Sequence, residues 1–292
     1  MSARRLLISY AHPDDESFGL GGLIARYVSE GVEVSLICAT NGDVGTVAPE
    51  MLNGYDSISD LRLAELDAAA KLLKLTHVYK LGFKDSGMVG SLTSEDPTCL
   101  WQAPQAVVTR RVVEIMRDLQ PQVVITFNKY GGYGHPDHIA IQRATTEAFA
   151  LASDPAYITD GLAPYQSQKL YYSNIPKRQL QLAMSIMRMR GTNPRQMGKN
   201  KDIDLQAIVE NAERVHTLID IRRYFEAWDA ASQCHKSQLG GGGLSFPIAV
   251  RRVLTPFQGF TRVYPAPAAS RVDEYDLFAG VNTLERSVTR AL

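Results

Sequence analysis

The fold is decided by residues 6–16, which read Leu6-Leu7-Ile8-Ser9-Tyr10-Ala11-His12-Pro13-Asp14-Asp15-Glu16. The apolar run at the start of this stretch predicts a short buried strand, and it ends directly in a charged cluster. Apolar residues then recur at helical spacing from Leu20 to Val28, and Gly31 is well placed to end that helix. The chain therefore opens with a strand, a polar turn and a helix.

The same alternation continues through the first half of the chain. Strands are predicted at Val32–Cys38, Val78–Leu81 and Val123–Phe127, and helical spacing lies between and after them, ending with the stretch from Pro136 to Leu151. Strands separated by helices of this length indicate βαβ units and a parallel sheet. We therefore expect an α/β fold, a Rossmann-like, doubly wound and mostly parallel sheet with helices on both faces.

The chain of 292 residues is expected to form a single domain, because no linker separates two convincing cores. Its Rossmann-like core is predicted over residues 1–175. Residues 176–204 are rich in Arg, Lys, Met and Asn, and they predict an irregular surface insertion. Residues 205–292 are expected to supply C-terminal elements that complete the site. Within them, four glycines at 240–243 predict a flexible loop.

The composition excludes several classes of protein. Basic and acidic residues number 31 each, which argues against a nucleic-acid partner, and no apolar run is long enough to insert into a membrane. Three cysteines without a CxxC pair argue against a disulfide framework, so we expect a cytoplasmic protein. A homo-oligomer is compatible with these features.

Two polar motifs follow strands of the predicted sheet. The first is the charged cluster at 12–16, and the second is Gly131-Gly132-Tyr133-Gly134-His135-Pro136-Asp137-His138. Because the carboxyl ends of parallel strands lie on one rim of the sheet, the two motifs can meet. Each motif alone has an ordinary interpretation, since an aspartate after His-Pro often caps a helix and a His-x-x-His pair is often exposed.

Together the motifs favour a metal site. Catalytic zinc is commonly held by three protein ligands, and two histidines with one carboxylate form such a set. A further carboxylate would then accept a proton from the attacking water. Residue chemistry alone offers Asp14, Asp15 and Glu16 for these roles and does not sort them.

The motifs His-Pro-Asp-Asp-Glu at 12–16 and His-Pro-Asp-His at 135–138 resemble those of the PIG-L/LmbE-like family of zinc-dependent N-acetylglucosaminyl deacetylases. Cys234-His235-Lys236-Ser237-Gln238 is similar to that family's closing His-x-Ser-Gln element. The segment from Gly82 to Met88 resembles the mycothiol-pathway branch.

The resemblance implies a role for each matching residue. His12, Asp15 and His138 would be the metal ligands. Asp14 would be the general base, and His135 would stabilise the charged intermediate and protonate the leaving amine.

Four further roles follow from the same resemblance. Asp137 would orient a histidine, and Tyr133 would assist at the oxyanion. Asp85 would bind sugar hydroxyls, although a turn residue before Gly87 is an equal alternative. Arg62 would contact the substrate, although a solvated helix residue is the commoner interpretation.

The expected function is a zinc-dependent hydrolase with one ion per chain, which removes the acetyl group from a small N-acetylglucosamine-type conjugate. Other divalent ions are alternatives to zinc. One rival is a metal-dependent hydratase or amidase of the same family acting on a non-sugar substrate. Another is a non-catalytic nucleotide-binding module, but Gly19-Leu20-Gly21-Gly22 lacks the Gly-x-Gly-x-x-Gly spacing. These glycines instead predict close packing of a helix.

Overall fold

The computed structural model describes residues 3–198, 201, 203–239 and 247–283. Its strands are β1 (Arg5–Tyr10), β2 (Glu33–Thr40), β3 (His77–Phe83), β4 (Val123–Phe127), β5 (Lys169–Asn174), β6 (Thr217–Asp220) and β7 (Phe257–Tyr264). Its α-helices are α1 (Asp15–Ser29), α2 (Ile58–Leu73), α3 (Gln105–Leu119), α4 (Gly131–Gly134), α5 (Pro136–Leu151), α6 (Lys177–Met189), α7 (Leu205–Asn211), α8 (Phe225–Ser232) and α9 (Ile248–Leu254). Among these residues no helix is long and apolar enough to cross a bilayer. The predicted glycine loop at 240–243 lies outside the described residues.

The sheet has the order β3-β2-β1-β4-β5-β7-β6. The first five strands are parallel, whereas β7 runs antiparallel to both β5 and β6. Every residue of β1 and β4 is buried, as expected for central strands covered on both sides. The prediction of a mostly parallel α/β sheet is confirmed.

The strand order places a crevice between β1 and β4. The chain leaves β1 toward β2 on one side and leaves β4 toward β5 on the other, so the crossover helices diverge above these two strands. The loops after Tyr10 and Phe127 therefore open onto one cleft, and these loops carry the two polar motifs. The ladder pairs Ser9 with Thr126, which brings the two strand ends level.

The glycines of α1 allow close packing against α8. A Cβ atom on Gly21 would lie 2.7 Å from Cδ1 of Trp228, and one on Gly22 would lie 3.1 Å from Cε3 of the same ring. No larger residue fits at Gly21 without moving the indole. The structure thus accounts for the glycines as packing residues of a helix.

Replacing Gly21 by valine is expected to lower the free energy of unfolding by about 1–3 kcal/mol, because the added methyl groups overpack the Trp228 contact. The matched control is Gly19→Ala on the same helix, whose Cβ would meet only Tyr10 at an ordinary 3.6 Å. The control is expected to stabilise the protein by up to about 1 kcal/mol through helix propensity. Urea unfolding measures both changes, and equal effects of the two substitutions would contradict the packing argument.

The prediction of an irregular segment over 176–204 is wrong for residues 177–189, which form α6. Leu180, Met184 and Met187 are buried at spacings of four and three, which is one face of a helix. Exposed apolar residues, among them Leu182 and Met189, interrupt the polar face and hide this periodicity in the sequence.

Candidate metal centre

The predicted metal ligands converge at the β1–β4 crevice. His12 Nδ1 lies 3.0 Å from His138 Nε2 and 3.5 Å from a carboxylate oxygen of Asp15, and His138 Nε2 lies 3.4 Å from the other Asp15 oxygen. Ligand atoms around tetrahedral zinc lie about 3.3 Å apart, given bonds of roughly 2.0–2.1 Å. The spacing of the three side chains therefore fits one small divalent ion.

The hydrogen bonds of the two imidazoles determine which nitrogens are free. His138 Nδ1 lies 3.0 Å from the carbonyl oxygen of Gly131, which only accepts, so that nitrogen carries the hydrogen. His12 Nε2 lies 3.1 Å from a carboxylate oxygen of Asp137, which likewise accepts. The remaining nitrogens, His12 Nδ1 and His138 Nε2, face each other as lone pairs. Such an arrangement is stable only with a positive charge between them, as in a metal site.

The carboxylates around His12 favour a cation at this position. Burial alone would lower the pKa of His12, but the charges of Asp85, Asp137 and Asp15 raise it well above its usual value. The pKa of Asp15 is lowered despite its burial, because His138 and His12 lie beside it. The cluster therefore has more negative charge than its own histidines neutralise at neutral pH.

Other combinations of candidate metal ligands overlap the set formed by His12, Asp15 and His138. The imidazoles of His12, His135 and His138 also offer nitrogens that lie within 4.8 Å of one another. A further group of ligand atoms with the same spacing comes from His12, Asp85, His135 and Asp137. However, His135 Nδ1 accepts the backbone N–H of Asp137 at 3.2 Å as the N-cap of α5. The lone pair of His135 Nδ1 is therefore already used. The ring hydrogen then lies on Nε2, so Nε2 donates a hydrogen bond and has no lone pair for a metal. We therefore favour Asp15 over His135 as the third ligand.

Asp14 lies beside this centre with its carboxylate held by Arg62. One of its oxygens accepts a hydrogen bond from the guanidinium at 2.9 Å. Burial raises the pKa of Asp14 to about 7, although the charge of Arg62 opposes the shift. A carboxylate with a pKa near neutrality suits a general base, which has to gain and lose a proton at the working pH.

The interpretation of Arg62 as a solvated helix residue is wrong. Its side chain is buried and donates to the carbonyl oxygens of Gly42 at 3.0 Å and Pro13 at 2.7 Å. Gly42 has a φ of 64°, and a Cβ there would collide with the guanidinium, so only glycine fits. Arg62 therefore links the loop after β2 to the loop after β1.

The turn interpretation of Asp85 is confirmed, and its carboxylate also lies beside His12. One oxygen accepts the backbone N–H of Gly87 at 2.8 Å, as an aspartate in a turn does. The same oxygen lies 3.5 Å from His12 Nε2, and the other lies 3.8 Å from Arg62. Asp85 is thus placed at the centre, where substrate contact stays a prediction.

The remaining predicted residues surround the histidines. Asp137 is fully buried; it contacts His12 and accepts the backbone N–H of Ser86 at 2.9 Å, a geometry that suits an orienting role. Burial and the neighbouring histidines lower the pKa of His135 to about 3, so its ring is neutral. The ring of Tyr133 lies edge-on to His138 at 5.0 Å between centroids, and burial raises the pKa of its hydroxyl, which stays a donor.

Sequence reasoning missed several residues of the site. Ser86 donates its hydroxyl hydrogen to Asp137, and Asp43 accepts the backbone N–H of Asp85 at 2.9 Å. Asp43 follows the end of β2, so the strand-end rule that found the two motifs would also have found it. His235, which belongs to the closing element that resembles the family's, is buried, and its Nε2 lies 2.8 Å from a carboxylate oxygen of Glu16.

Comparison with known proteins places these residues in a family. Residues 7–149 match the family model described as PIG-L: GlcNAc-PI de-N-acetylase. A 1D-myo-inositol 2-acetamido-2-deoxy-alpha-D-glucopyranoside deacetylase from Thermomonospora curvata is 35% identical over 245 residues, which are 81% of this chain and 81% of that protein.

Solved structures share the fold. An N,N'-diacetylchitobiose deacetylase from Pyrococcus horikoshii has a TM-score of 0.60 at 20% identity, covering 91% of this chain and 88% of its own. A 4-carboxy-2-hydroxymuconate hydratase from Pseudomonas putida has a TM-score of 0.58 at 18% identity, covering 91% and 98%. The fold thus serves more than one reaction, and the identity to the T. curvata deacetylase carries the assignment. The chain belongs to the PIG-L family of de-N-acetylases, as its two motifs predict.

Proposed function

We propose that this protein is a zinc-dependent deacetylase that removes the acetyl group from an N-acetylglucosaminyl glycoside of a small polyol. The observation that carries the proposal is the donor set: two imidazole lone pairs and one carboxylate lie 3.0–3.5 Å apart. A carboxylate with a pKa of about 7 stands next to this set in the chain. Metal-assisted amide hydrolysis needs both a metal site and a nearby proton acceptor.

The donor types favour zinc. Two nitrogens and one oxygen in a closed trio leave a position for water and substrate, which is the usual composition of a catalytic zinc site. When bound, the ion would polarise the amide carbonyl and make a water molecule acidic enough to react near neutral pH. His12, Asp15 and His138 would hold it, and Asp137 would keep the His12 ring in the required tautomer.

The protein's own groups account for the proton transfers. The attacking water gives its proton to a carboxylate oxygen of Asp14. Arg62 holds this carboxylate in place through a hydrogen bond. The oxyanion that develops accepts hydrogen bonds from Nε2 of His135 and the hydroxyl of Tyr133. The amine then leaves with a proton returned from Asp14 or passed through His135, and acetate is the second product.

The substrate class follows from the relatives and from two polar residues at the centre. Asp85 offers carboxylate oxygens that accept from sugar hydroxyls, and Arg62 lies 3.8 Å from one of them. The T. curvata relative acts on an inositol glycoside of N-acetylglucosamine, as its name states. We therefore infer that a polyol aglycone is accepted here as well.

Acetate release from purified protein loaded with zinc tests the proposal. The panel contains 1D-myo-inositol 2-acetamido-2-deoxy-α-D-glucopyranoside, N,N'-diacetylchitobiose and free N-acetylglucosamine. We expect the inositol glycoside to give the highest kcat/KM, at least about tenfold above free N-acetylglucosamine, because binding energy from the aglycone is used at the reacting centre. Absence of acetate with all three substrates would overturn the proposal.

A further inference from the structure

Glu16 is a fully buried carboxylate on which three donors converge. One oxygen accepts the backbone N–H of Asp14 at 3.1 Å. The other accepts from Nε2 of His235 at 2.8 Å and from the hydroxyl of Ser17. Neither Glu16 nor His235 has measurable exposure to solvent. A buried carboxylate without partners is costly, so these contacts fix its position firmly.

The residue that Glu16 holds has a strained backbone. Asp14 has φ 137° and ψ −26°, a conformation that L-residues rarely adopt. Such strain persists only where the surroundings enforce it, and it concentrates at functional positions. Glu16 binds the backbone of Asp14 while Arg62 binds its carboxylate. The proton acceptor is therefore held from two sides.

His235 brings the far end of the chain to this point, 219 residues from Glu16. The short turn that follows it is anchored separately, because Ser237 donates its backbone N–H and its hydroxyl to Glu65 at 2.8 and 2.6 Å. Glu65 lies on α2, the helix that also carries Arg62. The C-terminal part of the chain thus contacts Glu16 and also the helix that carries Arg62.

We propose that Glu16 and His235 are positioning residues, a buried pair that holds Asp14 in its strained conformation as the proton acceptor. This inference rests on the proposed deacetylation. The pair contacts Asp14 only through the backbone, so its removal is expected to lower kcat while the affinity for substrate and the metal content stay close to those of the native protein.

The kinetic test compares Glu16→Gln with the native protein in the acetate assay. A carboxamide has one acceptor oxygen and an NH2 group that only donates, so either the backbone N–H of Asp14 loses its acceptor or His235 and Ser17 must change from donors to acceptors. We expect kcat to fall about 10- to 100-fold, with KM and bound zinc within about twofold of the native values. In an Asp14→Asn background, Glu16→Gln should lower kcat little further, because both substitutions impair the same proton acceptor.

Matched variants separate positioning from general destabilisation. His235→Gln keeps an N–H donor and should retain more of kcat than His235→Leu. Glu274 is also a buried carboxylate with several donors, among them Tyr171 at 2.6 Å and Thr217 at 2.7 Å, but it contacts none of the residues assigned to the centre above. Glu274→Gln should lower the melting temperature and leave kcat unchanged.

Crystal structures of the native protein and of Glu16→Gln give a readout that does not depend on activity. We expect Asp14 to leave the positive-φ region in the variant. If Asp14 keeps φ near 137° there, or if Glu16→Gln retains full kcat or loses its zinc, the inference is overturned. If the native protein releases no acetate, the proposed function fails instead, and the crystallographic comparison still decides the positioning role.

Discussion

The Asp14→Asn protein is expected to release acetate about 100- to 10,000-fold more slowly than the native protein, because general-base catalysis contributes rate factors of this size. The substitution keeps the shape of the side chain and leaves an oxygen for the guanidinium of Arg62, which lies 2.9 Å away. It removes the carboxylate whose pKa of about 7 allows proton uptake near neutrality. The loss should appear in kcat, and zinc content should not change.

A surface carboxylate provides the control. Asp67 lies on α2, is exposed and forms an ion pair with Lys80. Asp67→Asn is expected to leave kcat and KM unchanged. If Asp14→Asn keeps kcat within about threefold of the native value, the assignment of the base is wrong.

Replacing His12 or His138 by alanine is expected to reduce bound zinc from one ion per chain to below about 0.1 after dialysis, because two protein ligands rarely retain a catalytic ion. Activity should fall with it. Elemental analysis of the dialysed proteins measures the content directly. Retention of a full complement of zinc by either variant would contradict its role as a ligand.

His135 distinguishes the two overlapping donor sets. If His12, Asp15 and His138 hold the ion, His135→Ala should keep one zinc per chain and lose activity, because a donor to the oxyanion is gone. If the three imidazoles hold it, the same variant should lose the metal. The pair of measurements, zinc content and kcat, therefore assigns His135 without reference to related proteins.

The alternating strands and helices of the first half of the chain could be predicted from the sequence. The strands β1 and β4 are fully buried, so their apolar runs are continuous and easily recognised. The two motifs follow these strands directly, and the rule that parallel strands end on one rim was enough to bring His12 and His138 together. The glycines of α1 also predicted close helix packing, and Gly21 does face Trp228 with no room for a side chain.

Contacts between distant, individually ordinary residues could not be predicted. Nothing near Arg62 in the sequence shows that its helix points at the site, and its burial depends on carbonyl groups of two other loops. His235 reaches Glu16 because α8, which precedes it, packs against α1, a contact between distant segments that no local pattern encodes. Residue chemistry alone does not choose among Asp14, Asp15 and Glu16, since the three carboxylates are adjacent in the chain; their roles are implied by the family resemblance.

A crystal structure of the zinc-loaded protein, with anomalous scattering recorded at the zinc edge, tests the metal site most directly. We predict a single peak in the crevice between β1 and β4, bonded to His12 Nδ1 and His138 Nε2 at about 2.0–2.1 Å and to an Asp15 oxygen at about 2.0–2.2 Å. A peak bonded to His135 or Asp85 in place of Asp15, or no peak at that crevice, would contradict it.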